Sequence, residues 1–214
     1  MQIPQGSATQ DTAFKHVAVA GNIGAGKTTL VQKLAAHYDW KAHLEAVDHN
    51  PYLEDFYHDM HKWAFPLQIY FLHSRFNQVL EVRQASYTVI QDRTIYEDAH
   101  IFAQNLRQSG YLSERDFQNY FSLFQSMTSQ IQAPDLLIYL RTSISKLLKQ
   151  IARRGRSYEQ NIDVNYLEDL NRNYEEWIGS YTGGKLLIIE TDELDYVQRS
   201  NDLQYIMDQI EAMR

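Results

Sequence analysis

The chain has no cysteine among its 214 residues. That removes disulfides, iron–sulfur clusters, thiolate zinc sites and thiol catalysis from consideration, and it is compatible with a reducing compartment. It also lacks an excess of positive charge: 20 Lys and Arg face 27 Asp and Glu, a net −7. Nonspecific binding to nucleic acid or to an anionic membrane therefore has no electrostatic drive, and any phosphate chemistry must be local. No window approaches the ~18 unbroken apolar residues of a membrane-spanning helix. The opening stretch MQIPQGSATQDTAF has neither an apolar core segment nor an arginine, so it resembles neither a secretory signal nor a mitochondrial presequence. It is expected to be a flexible tail over 1–14, ahead of a single cytoplasmic domain over 15–214. With four prolines and nine glycines there is no Pro/Gly/Ser-rich linker to divide that domain.

What is present is an alternation of short apolar runs and helical patterns. HVAVAG, KAHLEAV, YTVIQDR, PDLLIYLR and GKLLIIE are five strand candidates. Between and after them lie KTTLVQKLAAHY, a short helical stretch entered at Pro51, a long helix from about Trp63 to Gln84, YEDAHIFAQNLRQ, SERDFQNYFSLFQSMTSQI, SISKLLKQIARRG, VNYLEDLNRNYEEWIGSY and VQRSNDLQYIMDQIEAM. Strands apolar on both faces and separated by helices predict an α/β fold with a parallel sheet covered on both sides. Ser113 with Asp116 makes a weak helix-capping pair, and Gly155 should end the helix before it.

Gly21, Asn22, Ile23, Gly24, Ala25, Gly26, Lys27 and Thr28 spell GNIGAGKT, a complete GxxxxGK[ST] phosphate loop set between a strand and a helix, with Thr29 following. Its glycines let backbone N–H groups ring the phosphates, Lys27 can reach the β- and γ-phosphates, and the Thr28 hydroxyl can coordinate Mg²⁺. A nucleoside triphosphate is the implied ligand. The loop alone does not choose between motors, switches and kinases.

Other residues narrow the choice. Glu45 closes the second strand candidate, where a carboxylate can orient an attacking hydroxyl or accept its proton; a solvated strand-end carboxylate is the plain alternative. Asp92 ends TVIQD as a Walker B acid does, and so can hold magnesium, with Arg93 beside it. Gln68 and Arg75 lie two turns apart on the long helix, so both project from nearly one face; an amide and a guanidinium can each pair with an edge of a planar base, and Asp98 is a plausible partner for the arginine. The same spacing equally fits a solvated helix face. IARRGRSYEQ places Arg153, Arg154 and Arg156 within four positions, with Glu159 behind them. Such charges repel unless an anion joins them, while the dipole at a helix end accounts for one or two, at about 0.3 to 1 kcal/mol each. Phe65, Tyr70, Phe71 and Phe102 are candidates to stack on a base. His58 and His61, near Glu54 and Asp55, fall short of the three or four converging ligands of a zinc site.

GNIGAGKTTL, FPLQIYF, QDRTIYEDAHIFA, PDLLIYLR and RRGRSYEQNIDVNYLEDLNRNYEEWI, in order from about Val17 to Glu190, together resemble the deoxynucleoside kinase family, and within it the bacterial deoxyadenosine/deoxyguanosine kinases. The resemblance implies a thymidylate-kinase-like P-loop fold with a five-stranded parallel sheet, a homodimer, and transfer of the ATP γ-phosphate to a deoxynucleoside 5′-hydroxyl. It implies that Glu45 is the base at that hydroxyl with Arg93 as its neighbour, that Asp92 serves Mg²⁺, that Tyr57 and Glu159 contact the sugar 3′-hydroxyl, and that Gln68, Arg75 and Asp98 read the base. Arg154 and Arg156 then belong to a lid over 151–163 that closes on the ATP phosphates. The Arg75 and Asp98 pair points to deoxyadenosine or deoxyguanosine, with deoxycytidine next. Ala46, Asp92 and Gln150 depart from the pattern of animal relatives; Arg153 can stand in for the arginine that Gln150 replaces. A nucleoside monophosphate kinase and a nonenzymatic P-loop switch are the competing readings.

Overall fold

The structure is a computed structural model, and it describes residues 14–45, 50–159 and 162–214. Most of the expected tail, Ala46 and lid positions 160–161 lie outside the described residues. Phe14, at the end of the expected tail, is instead buried in the core, 3% exposed.

Five strands form one parallel sheet in the order β2-β3-β1-β4-β5. They are β1 (His16–Gly21), β2 (Lys41–His43), β3 (Val89–Asp92), β4 (Leu136–Arg141) and β5 (Lys185–Glu190). Every residue of central β1 and β3 is buried, as expected of strands covered on both faces. Helix α1 (Lys27–Tyr38) and the C-terminal helix cover one face, where Val17, Val19, Leu30, Leu34 and Ile206 share a core cluster. On the other face Ala18, Ala20, Leu137 and Tyr139 pack on Leu170, Tyr174 and Ile178. A third, wholly helical cluster stands beside the sheet. It joins α2 (Leu53–His58) and α3 (Met60–Gln84) to the helical segments after β3.

Three elements differ from the sequence expectation. β2 stops at His43, short of KAHLEAV, because its partner runs out: the ladder ends at His43 opposite Gln91, and two residues later Arg93 turns β3 away. The single helix expected over YEDAHIFAQNLRQ is α4 (Ile95–Glu97), a π-helical segment Asp98–Ala103 and α5 (Gln104–Gln108). A π segment re-aims its side chains relative to a regular helix, and here it begins at Asp98. After α6 (Glu114–Thr128), α7 (Ile144–Arg154) and α8 (Val164–Gly179), α9 starts only at Ser200 and ends at Glu211. The Asp195 side chain accepts from the backbones of Val197 and Gln198, holding that stretch as a turn instead of a first helical turn. Among the described residues, no helix is long and apolar enough to cross a membrane.

Candidate active site

The carboxyl ends of β1, β2 and β3 open into a cavity of about 1210 Å³ that also reaches α7 and the loop after β5. Single-ligand pockets usually hold ~300–1000 Å³, so this space suits two ligands end to end.

One end is the phosphate loop. Gly24 and Gly26 have φ of 83° and 91°, in the left-handed region. A Cβ on Gly24 would lie 2.8 Å from Ile151 of α7, and one on Gly26 2.2 Å from the Tyr196 hydroxyl, so both positions require glycine for backbone conformation and for space. Lys27 is buried, and its Nζ donates to the Asn22 carbonyl at 3.0 Å. Burial, then the nearby Arg93, lowers its pKa to about 8 against the pull of Asp92, Glu45 and Glu97. The Asn22 side chain is anchored to Leu167 and Asn171 of α8, which fixes the loop from outside. Thr28 donates to Asp92 Oδ2 at 2.5 Å, while Asp92 Oδ1 is buried without a hydrogen-bond partner. A hydroxyl and a carboxylate with a spare oxygen, side by side at a phosphate loop, fit a magnesium ion that takes its remaining ligands from phosphate and water. Among the described residues no three or more His, Cys, Asp or Glu side chains converge as metal ligands, around His58 and His61 or anywhere else.

The other end is a buried lattice of charge. Arg75, 2% exposed, donates from Nη2 to Glu45 Oε1 at 2.7 Å, from Nε to Asp98 at 3.2 Å and from Nη1 to the Asp92 carbonyl at 2.9 Å. Arg93 donates from Nε to the same Glu45 oxygen at 3.1 Å and stacks over Phe102 at 4.4 Å. Its φ of 71° puts a bulky residue in the left-handed region, a strain of about 1–2 kcal/mol of the kind that persists where surrounding contacts over-determine it. Burial pushes the Glu45 carboxyl up, but Arg93, Arg75 and Lys27 together outweigh burial and hold it at about 2, so it is ionised at any working pH. Asp98 goes the other way: burial raises it to about 7 against Arg75 and Arg93.

The structure brings Ile23, Gly24, Gly26, Lys27, Thr28, Thr29, Glu45, Tyr57, Gln68, Arg93, Asp98, Arg153, Arg154, Arg156 and Glu159 onto the wall of this one cavity. Gly21, Asn22, Ala25 and Asp92 lie just behind it. Arg75 does not line the cavity and braces Glu45 and Asp98 from beneath. Gln68 is 3% exposed, and its Oε1 has no hydrogen-bond partner. Of the aromatic candidates Phe71 and Phe102 line the wall, whereas Phe65 packs in the helical cluster and Tyr70 sits against Tyr52 and Phe71.

The segment expected to form a lid, 151–163, begins on α7 and continues past the left-handed Gly155 that caps it. Arg154 and Arg156 both pair with Glu159, Arg156 at 3.4 Å, and Tyr158 stacks on Tyr57 of α2 with ring centroids 5.4 Å apart. Sequence reasoning missed this aromatic clasp, the Tyr196 stop over the loop, and the buried pair of Glu97 and Tyr174 behind Arg93. Only Glu97 carried a local signal, since TIYE is a capping box, and the box forms: Thr94 Oγ1 accepts from Glu97 N at 3.3 Å and Glu97 Oε2 accepts from Thr94 N at 2.7 Å.

Comparison with known proteins matches residues 17–213 to the deoxynucleoside kinase family model. Deoxyadenosine/deoxycytidine kinase of Bacillus subtilis is 40% identical over 199 residues, 92% of this chain and 92% of its own length. Deoxyguanosine kinase of Lactobacillus acidophilus is 34% identical over 91% of this chain and 88% of its own. Among solved structures, deoxyadenosine kinase from M. mycoides with the products dCMP and a flexible dCDP superposes with a TM-score of 0.83 at 30% identity, over 92% of this chain and 99% of that one. A phosphate loop, an ionised carboxylate braced by two arginines across the cavity from it, and a match over nearly the whole length lead to one conclusion: this chain belongs to the deoxynucleoside kinase family.

Proposed function

We propose that the two ends of the cavity hold ATP and a deoxynucleoside, and that the γ-phosphate passes to the 5′-hydroxyl met by Glu45. The observation that carries this reading is the Glu45 carboxylate, ionised between Arg93 and Arg75 and lining the same cavity as Lys27. A carboxylate held near pKa 2 is a weak base toward a resting hydroxyl. Phosphoryl transfer through a loose transition state needs little early deprotonation, so an acceptor oriented throughout and available late suffices. Arg93 lies where it can neutralise charge between acceptor and phosphoryl oxygens. Thr28 and Asp92 would hold Mg²⁺, which when bound spreads the charge of the β- and γ-phosphates. Arg153, Arg154 and Arg156 close over the triphosphate, and Tyr57 and Glu159 meet the sugar 3′-hydroxyl. Closure excludes water, which would otherwise compete as acceptor.

Gln68 suggests how the base is held. Its unpartnered Oε1 suits an exocyclic amine, and its amide nitrogen suits a neighbouring ring nitrogen. Adenine and cytosine share that amine-beside-acceptor edge, and the same amide turned over meets guanine's carbonyl and ring N–H, so Gln68 alone does not rank the bases. With the Arg75 and Asp98 pair and the family resemblance we place deoxyadenosine and deoxyguanosine first and deoxycytidine next. A nucleoside monophosphate acceptor is disfavoured, since its phosphate would meet the Glu45 charge. We further propose a cytosolic homodimer with no nucleic-acid or membrane partner; the family resemblance supports the dimer and the acidic charge balance the rest, and sedimentation tests the dimer. Incubation with ATP, Mg²⁺ and each of the four deoxynucleosides tests the whole reading: a purine deoxynucleoside monophosphate is the expected main product, and no deoxynucleoside monophosphate from any of the four would end it.

A further inference from the structure

Glu97 takes no part in the chemistry above, yet it is 0% exposed and lies behind the cavity wall. A carboxylate in such a place is stable only if its oxygens are hydrogen-bonded and its charge is matched. Its Oε2 is occupied by the Thr94 backbone N–H at 2.7 Å and the Thr94 hydroxyl at 3.1 Å. Its Oε1 lies 2.8 Å from the Tyr174 hydroxyl, accepts from the Gly21 N–H at 3.3 Å, and stands 3.6 Å from Arg93 Nη1. The Tyr174 hydroxyl in turn accepts from Arg93 Nη1 at 2.8 Å and has the Gly21 carbonyl at 2.8 Å, so its one hydrogen goes to that carbonyl or to Glu97. Tyr174 itself is wedged by stacking on Tyr139 of β4, with centroids 5.6 Å apart.

The geometry matters for Glu45. Arg93 touches Glu45 through Nε alone, and both arginine bonds to that carboxylate fall on Oε1. An unrestrained arginine beside a carboxylate tends to close on it with two parallel N–H bonds, which here would engage Oε2 as well. The pull of Tyr174 and Glu97 on Nη1, from the opposite end of the guanidinium, opposes that closure. The same two residues grip both the N–H and the carbonyl of Gly21, the first residue of the phosphate loop.

We infer that Glu97 and Tyr174 are positioning residues that hold the Arg93 guanidinium off the second oxygen of Glu45 and tie it to the phosphate loop at Gly21. One hydrogen-bonded frame then sets the distance between acceptor hydroxyl and donor phosphate. The inference rests on the assignment of Arg93 to the acceptor hydroxyl.

The test is a double-mutant cycle read by steady-state kinetics with ATP and deoxyadenosine. Tyr174→Phe keeps the ring and removes the hydroxyl; it should lower kcat about 10- to 100-fold with little change in KM for deoxyadenosine. Lysine at position 93 keeps the charge but cannot be held from two ends. In an Arg93→Lys background, already slow, Tyr174→Phe should therefore produce no further fall. A wild-type kcat for Tyr174→Phe while Arg93→Lys is slow overturns the frame and leaves the Arg93 assignment standing. The same fall in both backgrounds also overturns the frame. Wild-type kcat for Arg93→Lys itself removes the assignment, and the frame with it. Glu97→Gln should repeat the Tyr174→Phe result; should it fail to fold, Tyr174→Phe carries the test alone.

Discussion

The two arginine groups of this protein are built in opposite ways. Arg75 and Arg93 sit at 2% and 4% exposure on elements anchored in the sheet and helical core, every near charge matched, with bonds of 2.7–3.2 Å to carboxylates. Arg154 ends α7 and Arg156 lies just beyond it, with about a third of each side chain exposed, and both share the single carboxylate of Glu159. The first group is preorganised: its desolvation is offset at folding, and its hydrogen bonds are already made before any ligand binds. The second is exchangeable. Its guanidiniums are partly solvated although the Glu159 carboxylate they share is buried, so a polyanion that replaces that carboxylate can take them over. On the proposed reading, rigid charge would serve the acceptor, where ångströms decide the rate, and loose charge the donor, which must enter and leave.

Substitutions can break this contrast. Glu45→Gln is expected to have the largest effect, a fall in kcat of about 10²- to 10⁴-fold with ATP affinity nearly intact, measured by single turnover and calorimetry. Equal losses in both would mean that Glu45 belongs to the donor end. Arg75→Met should follow, since it leaves Glu45 and Asp98 buried without their shared cation; a loss of about 3–5 kcal/mol in urea unfolding is expected, and a loss near that of a surface residue would show the lattice to be incidental.

Lys27 sharpens the contrast through pH, because it is buried like the first group yet is proposed to serve the donor. Its pKa falls from 10.5 to about 8, so between those values the unfolded chain holds a proton that the folded chain has released. Ligand-free stability should therefore rise with pH across that window. ATP affinity should fall there, by up to about tenfold per unit, because the triphosphate requires the cation and must bind with proton uptake. Calorimetry and urea titration at pH 7, 8 and 9 would show the opposed slopes; a flat ATP affinity would remove Lys27 from the phosphates. The smallest change in stability belongs to Arg154→Gln, within about 1 kcal/mol, accompanied by a raised KM for ATP. Loss of stability comparable to Arg75→Met would erase the distinction between the two groups.

Legibility in the sequence followed the range of the interactions involved. Helix ends at Ser113 and Gly155 were readable because a cap is settled within four residues. The π segment was not, because nothing in YEDAHIF distinguishes it from a helix; its first residue, Asp98, accepts from Arg75 on another element, a contact that local sequence does not record. Gln68 and Arg75 looked alike, two polar residues on one helical face. In the fold one lines the cavity with an unpartnered oxygen, while the other lies beneath it as a brace. β2 was overestimated, since a strand's length depends on its neighbour's, and a pattern of apolar residues does not record where that neighbour turns.

By itself the sequence determined the parallel α/β class, the phosphate loop and the residues from which the site is assembled, because hydrophobic period and loop motifs act over a few positions of backbone. Only the tertiary structure decided how the charges pair: that Arg75 braces Glu45 from below, that Glu159 holds the lid arginines, and that Glu97 meets Tyr174 across 77 positions of chain. The reason is physical. Electrostatic and hydrogen-bond energies depend on separations of a few ångströms between elements, and those separations exist only once the sheet and its helices have packed.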